Sequence, residues 1–230
     1  MLLLQQKNIK TVLEKKAKIK GRLRTFKTNY ILGEKTKETI HRENGCTFHL
    51  EVEKCYFSPR LSNERQEVSK LIKKSDSVLV LFSGIGVYPI VISKLSKPKK
   101  IVAIELGREC HKYALKNNKI NKTDVEFYQG DVKRIIPKLL KEKKIKQFDK
   151  VLMPRPQLKD TFLKDALKVT KKGGKIIYYG FCQEHELPAL IQELESDAKS
   201  QKRKIKITNV KKAGDIAPYK YRYRIEMKVN

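Results

Sequence analysis

Val78-Leu79-Val80-Leu81-Phe82 is an unbroken run of five apolar residues that ends directly in Ser83-Gly84-Ile85-Gly86. A strand that is apolar on both faces has to be covered from two sides, as in a sheet layered between helices. From residue 61 onward the chain repeats the same alternation. The pattern predicts a helix over 63–73, strand Ser77–Phe82, a helix near 86–96, strand Lys100–Glu105, helix 108–118, strand Val125–Tyr128 and helix 131–143. Strand Lys150–Met153, helix 160–170, strand Lys175–Tyr179 and helix 186–200 follow. Such a series predicts an α/β fold with a doubly wound, mostly parallel sheet. Ile205–Val210 and Tyr221–Val229 break the alternation, because the loop between them, with Gly214 and Pro218, is too short for a helical crossover. They are expected as an antiparallel pair at one edge.

Residues 1–60 follow a different pattern. Residues 1–20 read as a basic lead-in compatible with a helix, with Val12 and Leu13 as its apolar residues. Short β-type segments follow at Arg22–Phe26, Tyr30–Leu32 and Cys46–Tyr56, the last with period two at Phe48, Leu50 and Val52. Asn44-Gly45 is a turn signal ahead of it. The expected organisation is a small β-rich N-terminal module over 1–60 and an α/β domain over 61–230. A length of 230 residues accommodates both.

Charge narrows the partners. Lysine and arginine total 53 against 25 acids, a formal +28, and each phosphate that such a surface neutralises releases condensed counterions. Nucleic acid is the favoured partner, a lysine-rich proteome that decorates every surface this way is the bland alternative, and charge does not separate RNA from DNA. The leader Met1–Lys10 lacks the apolar core of a signal peptide, and no apolar run reaches membrane-spanning length. A cytoplasmic protein is expected. Cys46, Cys55, Cys110 and Cys182 have no CxxC spacing and the four histidines complete no zinc pattern, so no metal is implied.

In a doubly wound sheet the ligand sits beyond the carboxyl ends of the strands, where strand order reverses. Phe82, Gly84 and Gly86 form a turn that lets backbone approach a ligand at a helix N-terminus. Glu105 ends the next strand, where a carboxylate can accept both ribose hydroxyls, and Leu106 follows it. Gly130-Asp131-Val132 follows the third strand, and its acid can reach an adenine amino group. The third glycine of a dinucleotide fingerprint is missing, with Pro89 near its place, which favours a single nucleoside. Taken singly, Glu105 and Asp131 also read as a solvated strand end and a helix cap.

FSGIG (82–86), IVAIELG (101–107) and YQGDV (128–132) resemble the class I methyltransferases. The resemblance implies a Rossmann-like catalytic domain and S-adenosylmethionine as cofactor. Many relatives carry an acid within the first strand, where this chain has Val80-Leu81-Phe82. The stretch KETIHRENGCTFHLEVEKCYFSPRLSNER (37–65), together with GGKIIYYGF (173–181) and IAPYKYRYRIEMKV (216–229), is similar to the archaeal and eukaryotic tRNA (guanine-N1)-methyltransferases that modify the guanosine 3′ of the anticodon. The likeness covers roughly residues 8–229. It implies a tRNA anticodon stem-loop as substrate, and a short form without the separate N-terminal domain that many members carry. A partner protein in that domain's place stays open, as does the oligomeric state.

Methylating guanine N1 requires loss of its proton and leaves charge on O6, which a fixed guanidinium stabilises. Arg60 in SPRL matches the family's catalytic arginine by motif. The resemblance therefore gives Arg60 the O6 role, with pairing to Glu64 one turn on, or to a phosphate, as the lesser alternative. No motif residue identifies the general base. Where base-modifying relatives end the fourth strand in Asn-Pro-Pro or Asn-Leu-Pro, this chain has Met153-Pro154-Arg155-Pro156. Pro154 and Pro156 would shape an extended loop at the catalytic position, while Pro154 forgoes the Asn contact. Arg155 is a candidate RNA contact. Tyr219, Tyr221, Arg222, Tyr223 and Arg224 alternate aromatic and basic residues. A half-buried strand with tyrosines in and cations out is the first reading, and RNA contact through Tyr219 and Arg222 the second. Two rivals stand beside guanine-N1 methylation. One is a tricyclic-base relative using the same cofactor, and the other an RNA-binding protein that has lost turnover.

Overall fold

The computed structural model describes residues 9–16, 21–155 and 157–230. Its first four strands form two antiparallel hairpins: β1 (Thr11–Lys15) pairs with β2 (Thr28–Gly33), and β3 (Glu38–Glu43) with β4 (Cys46–Glu51). α1 (Ser62–Lys70) leads into β5 (Ser77–Leu81), and α2 (Val87–Ser96), β6 (Lys100–Glu105), α3 (Arg108–Asn121) and β7 (Glu126–Gln129) follow. α4 (Val132–Lys141), β8 (Phe148–Met153), α5 (Leu163–Lys168), β9 (Thr170–Gln183), α6 (Leu187–Ser200), β10 (Ile205–Ala217) and β11 (Lys220–Val229) complete the order. Seven strands form one sheet in the order β10-β11-β9-β8-β5-β6-β7. β9 to β7 run parallel, while β11 is antiparallel to both β9 and β10. This is the doubly wound α/β sheet with an antiparallel C-terminal edge that the alternation implies.

The five-residue apolar run is covered on both faces. Leu79 and Leu81 join Ile136 of α4, Leu163 of α5 and Leu194 of α6 in one core. Val78 and Val80 point the other way, onto Val68 of α1 and onto Tyr88 and Ile92 of α2. Along β11, Tyr223, Ile225, Met227 and Val229 join the first core. Arg222, Arg224 and Glu226 are buried too, which corrects the expectation of cations facing solvent. A strand inside a two-sided layer has no outward face, so charges there need partners. Arg224 finds Glu64 at 2.8 Å, Glu67 at 3.3 Å and Glu226 at 3.3 Å.

Four further differences have local causes. Thr11–Lys15 is a strand rather than helical, because β2 supplies a ladder for its β-branched Thr11 and Val12. Arg22–Phe26 is mostly a turn, with Gly21 at φ 70° and Arg24 at φ 55°. β3 has only Glu43 fully buried, so no alternation marks it; the Asn44-Gly45 turn, both residues at positive φ, sets its pairing. β9 outruns Lys175–Tyr179 because β11 pairs with it as far as Lys220↔Gln183.

The second hairpin is fastened to the sheet layer. Cys46, Phe48 and Leu50 pack against Ile85, Ile90 and Cys110. The open edge of β4 is capped by two side-chain amides of α3. Asn121 accepts from Thr47 N–H at 2.8 Å and donates to its carbonyl at 2.7 Å. Asn117 does the same with His49 at 2.8 and 3.1 Å. Among the described residues no helix is long and apolar enough to cross a membrane.

Candidate active site

Strand order reverses between β5 and β8, and a cleft opens at the carboxyl ends of β5, β6 and β8, enclosing about 1140 Å³ including its open mouth. One end is built by the glycine turn. Phe82 follows β5 in a left-handed conformation, φ 58°, strained for a side chain and typical of ligand sites. Gly84, φ 57°, faces open space where a Cβ would point, so ligand can approach its backbone. Gly86 acts differently: it caps α2 at φ 86°, and a Cβ there would meet Ile90 Cδ1 and Phe127 Cζ at 3.0 Å. Gly86→Ala is expected to cost about 2 kcal/mol, roughly 5 °C in Tm, from strain and overpacking. Thermal unfolding with and without nucleoside measures it.

Glu105 ends β6, and its two carboxylate oxygens accept from Gly84 N–H and Gly107 N–H at 2.7 Å each. Burial pushes its carboxyl above the ordinary range against the pull of those two donors. Asp131 caps α4, accepting from Lys133 N–H at 3.0 Å, and its other oxygen meets Arg22 Nη2 at 2.8 Å. Burial raises the Asp131 carboxyl, but the Arg22 guanidinium and the Lys133 N–H outweigh it and hold the group below its usual value. Ser83 Oγ is buried without a partner in the same wall. Two acids, a bare glycine backbone and an unmatched hydroxyl fit the ribose, adenine and chain of an adenosyl cofactor.

The other end is basic and aromatic. Arg24 lies 4.2 Å over the Tyr56 ring, and its Nε is buried with no partner. Arg65, 3% exposed, is held by both carboxylate oxygens of Glu43 and donates to the Ser58 carbonyl at 3.1 Å, fixing the Ser58-Pro59 turn. Tyr88 and Tyr179 hydroxyls meet at 3.2 Å, and Tyr179 donates on to Glu64, the acid that also takes Arg224. Burial pushes the Tyr88 hydroxyl up to about 12 and Tyr179 well above its usual value, so both stay protonated donors.

Phe82, Gly84, Glu105, Leu106, Asp131, Val132, Pro154, Arg155 and Arg222 therefore share one cleft. Gly86 stands behind the wall. Arg60 is exposed in the 3-10 turn Pro59–Leu61, between the lining residues Ser58 and Leu61, and Glu64 is taken by Arg224 and Tyr179 instead. Arg155 is buried and its Nη2 donates to the Leu158 carbonyl and, at 2.6 Å, to that of Asp160, closing the loop after β8. Tyr219, 79% exposed, sits on the β10–β11 turn beside a separate shallow depression with Gln183, Glu184, His185 and Tyr221. Pro156 lies outside the described residues. Sequence reasoning missed Arg22, Leu23, Arg24, Tyr56, Arg65, Tyr88 and Tyr179 as lining residues. Arg65 stands inside the LSNER motif; the Arg22-Leu23-Arg24 turn carries no pattern except basic residues after a glycine.

A family model described as the TRM5/TYW2 methyltransferase domain matches residues 39–207. The chain belongs to that family. It is 33% identical to the tRNA (guanine(37)-N(1))/4-demethylwyosine(37)-methyltransferase Taw22 of Nanoarchaeum equitans, over 98% of this chain and 91% of that protein. It is 32% identical to the tRNA (guanine(37)-N(1))-methyltransferase Trm5b of Pyrococcus abyssi, over 97% of this chain but 65% of that protein. The solved structure of that Trm5b superposes with a TM-score of 0.85 at 31% identity, over 100% of this chain and 67% of the other. A structure of M. jannaschii TYW2 in complex with AdoMet superposes at 0.79 with 27% identity, over 88% of this chain and 90% of that one. The chain thus spans about two thirds of the Trm5b length. No group of three or more His, Cys, Asp or Glu among the described residues is placed to hold a metal.

Proposed function

We propose that this protein is a tRNA methyltransferase that moves the methyl group of S-adenosylmethionine to N1 of the guanosine 3′ of the anticodon. Residues 1–60 act as the module that positions the RNA, in the cytoplasm. One observation carries the reading: a single cleft joins an adenosyl-type end, Gly84 with Glu105 and Asp131, to an end walled by arginines and tyrosine hydroxyls. The structure of an archaeal Trm5 with tRNALeu, 26% identical with a TM-score of 0.83, is a precedent for tRNA on this scaffold. The +28 charge favours the same partner.

Glu105 would take the ribose hydroxyls and Asp131 the adenine amino group, with Arg22 bridging Asp131 to the N-terminal turn. When bound, the cofactor supplies an electrophilic methyl group. The chain must then remove the N1 proton and meet charge at O6. Arg24 is better placed for O6 than Arg60, being in the cleft with an unmatched Nε. Glu64, one hydroxyl behind the cleft through Tyr179, is the carboxylate left for the proton once Glu105 and Asp131 serve the nucleoside. Arg65 holds the Ser58 turn, and so keeps Arg60 at the mouth, where an exposed cation meets phosphate.

A second reading has its own support: a M. jannaschii relative, 31% identical over 74% of this chain, is a tRNA(Phe) (4-demethylwyosine(37)-C(7)) aminocarboxypropyltransferase, and Pro154 removes a side-chain contact to the target. Transfer from methyl-labelled cofactor into unmodified tRNA transcripts, with and without a guanosine 3′ of the anticodon, tests the proposal. Labelled 1-methylguanosine only in the first transcript is the expected outcome. A nucleoside heavier by the aminocarboxypropyl group, or RNA binding without any product, would replace the proposal by one of its rivals.

A further inference from the structure

The buried arginines of this protein differ in one respect. Arg65 is neutralised by Glu43, Arg224 by Glu64 and Glu226, and Arg155 is tied to two loop carbonyls. Arg222 is as buried as they are, 8% exposed, yet among the described residues no acid and no carbonyl pairs with it. It lies opposite Phe181 in the β9–β11 ladder, its guanidinium 5.3 Å over that ring, and it lines the cleft. A guanidinium stacked on one face and held by a central strand keeps its planar fork of donors free along the edges. Its nitrogens are not among the buried atoms left without a partner, so these donors open onto the cleft and meet whatever acceptors enter it.

Its neighbours decide which acceptors. Pro154, which lines the same cleft, presents no side-chain donor or acceptor, so the target is not gripped there by its N–H groups. Arg24 and Arg222 bring guanidinium donors to the same cleft, whereas the Tyr88 and Tyr179 O–H groups are already given to Tyr179 and Glu64. Guanine shows two adjacent acceptors, O6 and N7, on one edge, whereas adenine shows a donor amino group beside N7. A two-pronged donor fits the first and opposes the second.

We propose that Arg222 is a specificity-determining residue that reads the O6/N7 edge of the target guanine, so that selection against adenine rests on a donor fork from β11. The inference rests on the guanosine-methylating reading above and names how that site chooses its base. The fork bonds only to acceptors and takes no part in proton removal.

Anticodon stem-loop transcripts carrying guanosine, 7-deazaguanosine or adenosine at the target position test it with wild-type protein, Arg222→Ala and Arg222→Lys. Replacing N7 by carbon is expected to lower wild-type kcat/KM by about 10- to 100-fold. Arg222→Ala is expected to lose a similar factor on guanosine, and then to treat guanosine and 7-deazaguanosine alike; Arg222→Lys should fall between. Binding of S-adenosylhomocysteine, unchanged in both variants, reports an intact fold; should Arg222→Ala lose it, Arg222→Lys alone decides through its response to 7-deazaguanosine. If a folded variant remains as sensitive to the missing N7 as the wild type, Arg222 does not read that edge. If wild-type protein methylates none of the transcripts, the methyltransferase reading fails instead. Fluorescence anisotropy with the guanosine and 7-deazaguanosine stem-loops then applies the same comparison to affinity.

Discussion

Arg24→Ala is expected to lower kcat for methyl transfer by about 100- to 1000-fold while cofactor affinity stays within a few-fold of wild type. The side chain lines the cleft at the end proposed to hold the target base, 4.2 Å over the Tyr56 ring, with a buried Nε that finds no partner among the described residues. A preorganised donor of this kind contributes most where charge builds during reaction, and little to ground-state binding. Arg60 makes the opposite forecast. Exposed beside the cleft, it should act through phosphate, so Arg60→Ala is expected to raise KM for tRNA with kcat nearly unchanged, an effect that fades at high salt. Single-turnover rates at saturating RNA distinguish the two. A rate collapse in Arg60→Ala with Arg24→Ala near wild type would return the catalytic role to the SPRL motif.

Glu105→Ala is expected to weaken S-adenosylhomocysteine binding by at least about 100-fold, the loss of two hydrogen bonds to a carboxylate. It should also destabilise the free protein by about 1–3 kcal/mol, because Gly84 N–H and Gly107 N–H lose their acceptor. Titration adds a directional test. Burial raises the Glu105 carboxyl in the free protein, while ribose hydroxyls bond its ionised form. Nucleoside affinity should therefore be full above that raised value and decline as pH falls through it. Folding stability moves the other way: this group's contribution is fully present below the ordinary glutamate value and is lost as pH rises through the raised one. Calorimetric titrations across pH measure the first, and Glu105→Gln should abolish the dependence. A flat profile in the wild type would mean the carboxylate does not touch the ligand.

The parallel layer was legible because burial on both faces leaves a signature in each strand. Lys100–Glu105 runs between the bounds expected of it, and Glu105 and Asp131 stand at the strand tips where the ligand rule puts them. The N-terminal hairpins were less readable. β3 buries Glu43 rather than an apolar side, and that carboxylate's partner, Arg65, is 22 residues away. Arg222 and Arg224 were misjudged for a related reason. Alternation of tyrosine and arginine describes any strand with two unlike faces, and only the layer above β11 reveals that the second face is a buried ionic one. Arg24 had no local signal, since a turn becomes part of a site only when the chain brings it over a cleft built 60 and more residues later.

β11 occupies the interior of the sheet, between β10 and β9, although it is the last strand to be synthesised. Glu64 consequently waits for a partner 160 positions downstream. Until β11 is made, β9 has a bare flank and Glu64 of α1 has the Tyr179 hydroxyl but no cation from β11. Contacts this distant make for slow, late closure. Arg222, proposed to read the target base, thus enters the cleft only with the last strand, after every residue of the nucleoside end has been synthesised.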